Sequence, residues 1–258
     1  MAKGIGMLLV AALFFSGCVK LVDTGRFHDN GDLRRSIQSG KKIMIVEPHS
    51  DDEIFIAGTI AYACGQRDNQ CYVVNLGSLS DFLNKNEIAL REKTLKWMNE
   101  EYLQEYINLN NSWRDTFGWG MGKDDIEKMK PQLKKVIEEK RPGIILTFSP
   151  YGYSGHQNHK VTSAMVMEVY DELSYKPEVY YFINVFPQFS EYKKYPPTDI
   201  IDLKACSSNH ESSLIDAKLE ILQEYSNTVP FLKKILKDKD NPKVEEETYI
   251  KEYFRKAK

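Results

Sequence analysis

Histidine is scarce in this chain, with five residues in 258, and cysteine is scarcer, with four. Beyond Cys18 the cysteines are Cys64, Cys71 and Cys206. Their spacing fits neither a zinc ribbon nor a CxxC redox pair. An excess of positive charge is also lacking: 35 basic residues stand against 37 acidic ones, for a net charge of −2. Without a basic field, nucleic acid drops out as a partner. Hydrophobic content of 42% with 28% charged residues excludes a disordered chain and suits one sizeable core.

Long apolar runs are missing too, apart from Ile5 to Phe15 near the start. That run follows the basic Lys3 and precedes Phe15-Ser16-Gly17-Cys18, a pattern of the bacterial lipoprotein-signal type. The expectation is export with cleavage before Cys18 and a lipid on that cysteine. An uncleaved N-terminal membrane anchor is the alternative, although the run is short for a full span. Residues 1–18 are therefore assigned to the signal and the polar stretch 19–40, with its Asp29-Asn30-Gly31-Asp32 turn, to a linker. In an exported protein Cys64 and Cys71 are candidates for a disulfide; buried free thiols are the alternative.

From Lys41 onward short apolar runs alternate with amphipathic segments. Strands are expected at 43–46, 71–76, 106–109, 143–148, 179–186 and 200–203. Helices are expected at 54–64, 88–103, 124–140, 156–173 and 212–225. Pro131 suggests that the 124–140 helix begins as a separate turn, and the charged tail 233–258 reads as a surface helix. The alternation predicts an α/β fold: a Rossmann-like, mainly parallel sheet flanked by helices on both faces.

Three of the five histidines fall in two short clusters. Pro48-His49-Ser50-Asp51-Asp52-Glu53 directly follows the first strand. His156-Gln157-Asn158-His159 follows the 143–148 strand after a Gly/Tyr-rich loop. In open parallel sheets ligands bind beyond the carboxyl ends of the strands, where both clusters lie. Two His and one Asp suffice for a catalytic zinc site with a position left for water. On this reading His49, Asp52 and His159 are the ligands, Asp51 is the general base, and His156 faces the oxyanion and protonates the leaving amine. Taken alone, Ser50-x-x-Glu53 also fits a helix capping box, and HxxH is common on solvated helices.

The first cluster resembles the Pro/Ala-His-Pro-Asp-Asp-Glu signature of the PIG-L/LmbE-like N-deacetylases. The second resembles their His-Pro-Asp-His element. Arg91-Glu92, Asp202, Lys218 and Tyr225-Ser226 are similar to later family motifs. The resemblance assigns 41–258 to a deacetylase domain and implies one zinc ion per chain. It also implies removal of an acetyl group from an N-acetylglucosamine-type amide, on a sugar or glycoconjugate, with the residue roles given above. Another small amide conjugate is the alternative substrate, and a lipid-anchored glycan-binding protein without turnover is the alternative class. Arg91, Tyr153 and Trp119 are candidate substrate contacts. Ser50 stands where the family has Pro, and Asn158 brings no carboxylate beside the ligand histidine.

Overall fold

The computed structural model describes residues 27–65, 69–77, 85–111, 123–153, 155–183, 191–206, 214–229, 232, 236 and 251–258. The signal-type segment with Cys18 lies outside these residues. Among the described residues no helix is long and apolar enough to cross a membrane.

Seven strands form one sheet: β1 (Ile43–Glu47), β2 (Cys71–Gly77), β3 (Glu105–Asn111), β4 (Ile144–Phe148), β5 (Glu178–Phe182), β6 (Asp199–Asp202) and β7 (Lys251–Lys256). Their order is β3-β2-β1-β4-β5-β7-β6. The pairs β1/β2, β2/β3, β1/β4 and β4/β5 are parallel, whereas β7 runs antiparallel to both of its neighbours. β1, β2 and β4 are buried along their whole length, as their continuous apolar runs require in a sheet covered on both faces.

Alternate strand residues feed two cores. Ile43, Ile45, Val73, Leu146 and Phe148 pack with α1 (Asp32–Gln38), α2 (Ala57–Cys64), α3 (Lys85–Glu101) and α8 (Leu214–Tyr225). Met44, Val46, Val74 and Ile145 face α4 (Lys123–Lys140) and α5 (Gln157–Glu172) on the other side. Three short helical segments complete the described elements: a 3-10 turn at Asp52–Ile56, α6 (Glu191–Lys194) and α7 (Leu203–Cys206).

Several expectations need correction. The stretch read as a linker contains α1, whose Leu33 and Ile37 are fully buried. Asp199 on β6 accepts a hydrogen bond from the Leu33 N–H at its first turn. The tail read as a surface helix supplies β7, a strand between two others; Phe254 is buried and the basic residues stand at its ends. α4 is continuous through Pro131, with no separate turn before it. Cys64, at the end of α2, is joined to Cys71, at the start of β2, in a disulfide with Cα atoms 5.6 Å apart; Cys206 is a buried free thiol.

β1 and β4 are neighbours whose connections leave in opposite directions, to β2 on one side and β5 on the other. Their C-terminal ends open at this switch point. Both histidine clusters follow these two strands.

Candidate metal centre

Beyond β1 the chain turns sharply. The Asp52 N–H donates to the His49 carbonyl at 3.3 Å, and the His49 N–H donates to Asp52 Oδ2 at 3.1 Å. This closed turn aims the His49 ring and the Asp52 carboxylate at one point. No side chain caps the 3-10 turn that follows, so the capping-box reading of Ser50 and Glu53 is not realised. Glu53 is instead buried, and Ser50 Oγ accepts a hydrogen bond from Arg91 Nη1 at 3.2 Å.

Beyond β4 the chain passes through Gly152 (φ 77°) and Tyr153 (φ 62°), both in the left-handed region. Glycine is needed at 152, where a Cβ would lie 2.5 Å from the His156 carbonyl. The Gly152 carbonyl is 3.1 Å from His159 Nδ1. The His159 ring stacks on Phe148 at 3.8 Å, so the end of β4 and the loop together fix its plane.

The two clusters meet at Asp52. Its Oδ2 lies 3.1 Å from His49 Nδ1 and its Oδ1 3.3 Å from His159 Nε2. Ligand atoms of the three residues lie within 4.8 Å of one another. The two short separations run to the two different oxygens of Asp52, so its carboxylate stands between the two imidazoles. Protonation states fit as well. Burial pushes the Asp52 carboxyl up, but His159 and His49 outweigh it and hold the group well below the usual carboxylate range. Burial pushes His159 down, toward the neutral imidazole a metal requires. Two neutral imidazoles and a carboxylate form a nitrogen/oxygen donor set suited to zinc. The His156 ring stands 5.1 Å from that of His49 and 4.7 Å from that of His159, at the edge of the same centre.

Arg91 is not on a helix surface. Its side chain is 2% exposed and passes under the site. Nε donates to Thr228 Oγ1 at 2.9 Å, Nη1 to Ser50 and Nη2 to Asp51 Oδ2 at 3.4 Å. Burial works against the guanidinium charge, but Asp51 more than restores it. Below lies an acid pair absent from the sequence-based site. Glu47 and Glu53 are buried side by side, and Tyr106 donates to Glu47 at 3.4 Å. Burial first, then neighbouring carboxylates, pushes Glu47 well up; burial pushes Glu53 up to about 7. The polar Glu47 ending an apolar strand was the available signal.

Tyr153 packs its ring against Phe55 at 4.5 Å, beside Phe148. Burial raises the pKa of its hydroxyl. Trp119 lies outside the described residues.

Fold and site together define a Rossmann-type α/β protein with a His–Asp–His constellation at the sheet's switch point. Residues 44–170 match the PIG-L family, described as GlcNAc-PI de-N-acetylase, and the chain carries a PIG-L family domain. A probable N-acetylglucosaminyl-phosphatidylinositol de-N-acetylase of Schizosaccharomyces pombe is 25% identical over 187 residues, covering 70% of this chain and 71% of that one. The N,N'-diacetylchitobiose deacetylase of Pyrococcus horikoshii, solved with an inhibitor, superposes with a TM-score of 0.56. Its identity is 18%, over 87% of this chain and 86% of that one. The 4-carboxy-2-hydroxymuconate hydratase GalB of Pseudomonas putida superposes equally well, with a TM-score of 0.56, 13% identity and coverage of 84% and 96%. At these identities the structural likeness speaks for the fold, and the chemistry has to be argued from the site.

Proposed function

We propose that the protein is a zinc-dependent N-deacetylase that hydrolyses the acetamido group of an N-acetylglucosamine-type sugar or glycoconjugate. The observation that carries this reading is Asp52, bridging the inner nitrogens of His49 and His159, with Asp51 immediately before it in the chain. His49, Asp52 and His159 would hold a zinc ion, which when bound would supply a Lewis acid for the amide carbonyl and lower the pKa of water to about 7. Asp51, a third exposed and steadied by Arg91, takes a proton from the attacking water. His156, at the edge of the centre, faces the developing oxyanion and returns a proton to the leaving amine. The family match and the yeast relative's name support an N-acetylated amino sugar as substrate.

Two features support an extracytoplasmic location with a lipid on Cys18. One is the signal-type N-terminus; the other is the Cys64–Cys71 disulfide, which belongs in an oxidising compartment.

The test is acetate release by the full chain from N-acetylglucosamine oligomers and conjugates, with bound metal measured alongside. About one zinc per chain and chelator-sensitive release are expected. Asp51→Asn should retain zinc and lose about 10²–10⁴-fold in turnover, while His159→Ala should lose zinc. A fully active Asp51→Asn protein removes Asp51 as the base; full zinc content in His159→Ala removes that ligand.

A further inference from the structure

The 3-10 turn at Asp52–Ile56 places Phe55 three residues after the proposed ligand Asp52. Side chains at i and i+3 of a 3-10 helix eclipse one another, so the Phe55 ring stands on the same side of the turn as the Asp52 carboxylate. It meets the His159 ring edge-to-face at 6.3 Å and the Phe148 ring at 6.2 Å. Closer still is Tyr153, with ring centroids 4.5 Å apart. Tyr153 holds this place with its backbone in the left-handed region, at φ 62°. That conformation costs a non-glycine residue free energy and persists only where its surroundings fix it. Phe148, fully buried at the end of β4, backs both rings.

Phe55 and Tyr153 are only partly buried, unlike Phe148. They form an aromatic surface beside a centre where His49, Asp51 and His156, also partly exposed, are polar. The carbon under attack in an amide carries an oxygen, a nitrogen and an alkyl group. The reading above gives the oxygen and the departing amine to the metal centre and His156, and the attacking water to Asp51. Each of those groups is charged or hydrogen-bonding, and none gains from an alkyl chain. Apolar surface gains by leaving water against other apolar surface, so the alkyl group belongs against Phe55 and Tyr153. Little there can yield. The two rings pack on each other with Phe148 behind them, and displacing a close-packed side chain is costly.

We propose that Phe55 is a specificity-determining residue, the wall that receives the methyl of the acetyl group and turns away longer acyl chains. The inference rests on the deacetylase reading and adds the acyl side of the substrate to it. Tyr153 supports the Phe55 ring and continues the wall beside His159. A methyl group rests against this surface, whereas each further methylene has to push a ring off its packed neighbours. One methylene too many in an apolar site costs about 10–200-fold in kcat/KM.

The experiment measures kcat/KM of the zinc-supplied full chain on the N-acetyl, N-propionyl and N-butyryl forms of one glucosamine oligomer, with metal content alongside. The wild type should prefer acetyl over butyryl by about tenfold or more. Phe55→Ala, which removes the ring, should cut that preference by about tenfold or more, and Phe55→Leu should stand between the two. Zinc content should match the wild type in both variants. The ratio between substrates is the decisive reading, because lost metal or partial unfolding lowers all three alike. A wild type indifferent to acyl length overturns the proposal. So does a wild-type ratio in Phe55→Ala or, where that variant does not fold, in Phe55→Leu. If the wild type releases no acyl group from any of the three, the deacetylase reading falls and this inference with it; if it releases acetate and the ratios fail, only the inference falls.

Discussion

Arg91 reaches Asp51 from beneath, Nη2 to Oδ2 at 3.4 Å, while its other donors are held by Ser50 and Thr228. The proposed base is thus tethered to α3 and to the turn that follows α8 through one buried guanidinium. Arg91→Lys keeps the charge and loses the fork. We expect turnover to fall about tenfold or more, with KM and zinc content little changed, because a loosened base misses its geometry. Steady-state kinetics beside metal analysis check this. A loss confined to KM would place Arg91 in substrate binding instead.

Gly152 is the second lever on the centre. Gly152→Ala places a methyl 2.5 Å from the His156 carbonyl in a backbone region that alanine avoids. The cost should be about 1–3 kcal/mol of stability. Because the Gly152 carbonyl holds His159, zinc affinity should fall with it. Denaturant melts and metal competition together measure both effects; an unchanged affinity would detach this loop from the centre.

Glu178 makes stability depend on acid pH. Burial raises its carboxyl, but hydrogen bonds from Lys41, Lys256, Ser36 and Tyr180 outweigh that and lower it to about 2. The folded value lies below the unfolded one of about 4.3. The unfolded chain therefore binds more protons between the two, and stability rises with pH through that window. It is lost as pH falls from about 4.3 toward 2. Glu178→Gln should remove about 1 kcal/mol at neutral pH, after allowing for partial solvent access, and flatten the acid limb. Melting curves between pH 2 and 7 read this out.

The Cys64–Cys71 bond closes a short loop between α2 and β2. Chain-entropy reasoning gives about 2 kcal/mol for such a loop. Reduction, or Cys64→Ser, should lower the melting temperature by several degrees while leaving zinc content intact. Thiol titration of unreduced, denatured protein should find neither cysteine free.

The alternation of strands and helices was legible in the sequence because buried parallel strands are continuously apolar, as Ile43–Val46 and Ile144–Leu146 are. The two histidine clusters were legible because chain order alone brings them to adjacent strand ends. β7 was not. Lys-Glu-Tyr-Phe-Arg-Lys is rich in charge, and only its neighbours make it a strand: Glu252 is buried because Gly58 and Thr59 N–H groups and Lys218 Nζ satisfy it. The burial of Arg91 was not legible for a similar reason, since a guanidinium is rarely buried without partners, and Asp51, Ser50 and Thr228 lie far from it in sequence.

β7 also sets an order of events during synthesis. Among the described strands it is the last in chain order, yet its place is between β5 and β6, already made. Until it arrives those two strands have no common partner. The first turn of α2, just past the Asp52 turn, also lacks the Glu252 carboxylate that receives its N–H groups. The turn at Asp52 therefore acquires this support only after Glu252 has been translated, and a nascent chain stopped short of Lys251 would carry every proposed ligand without the strand that braces them.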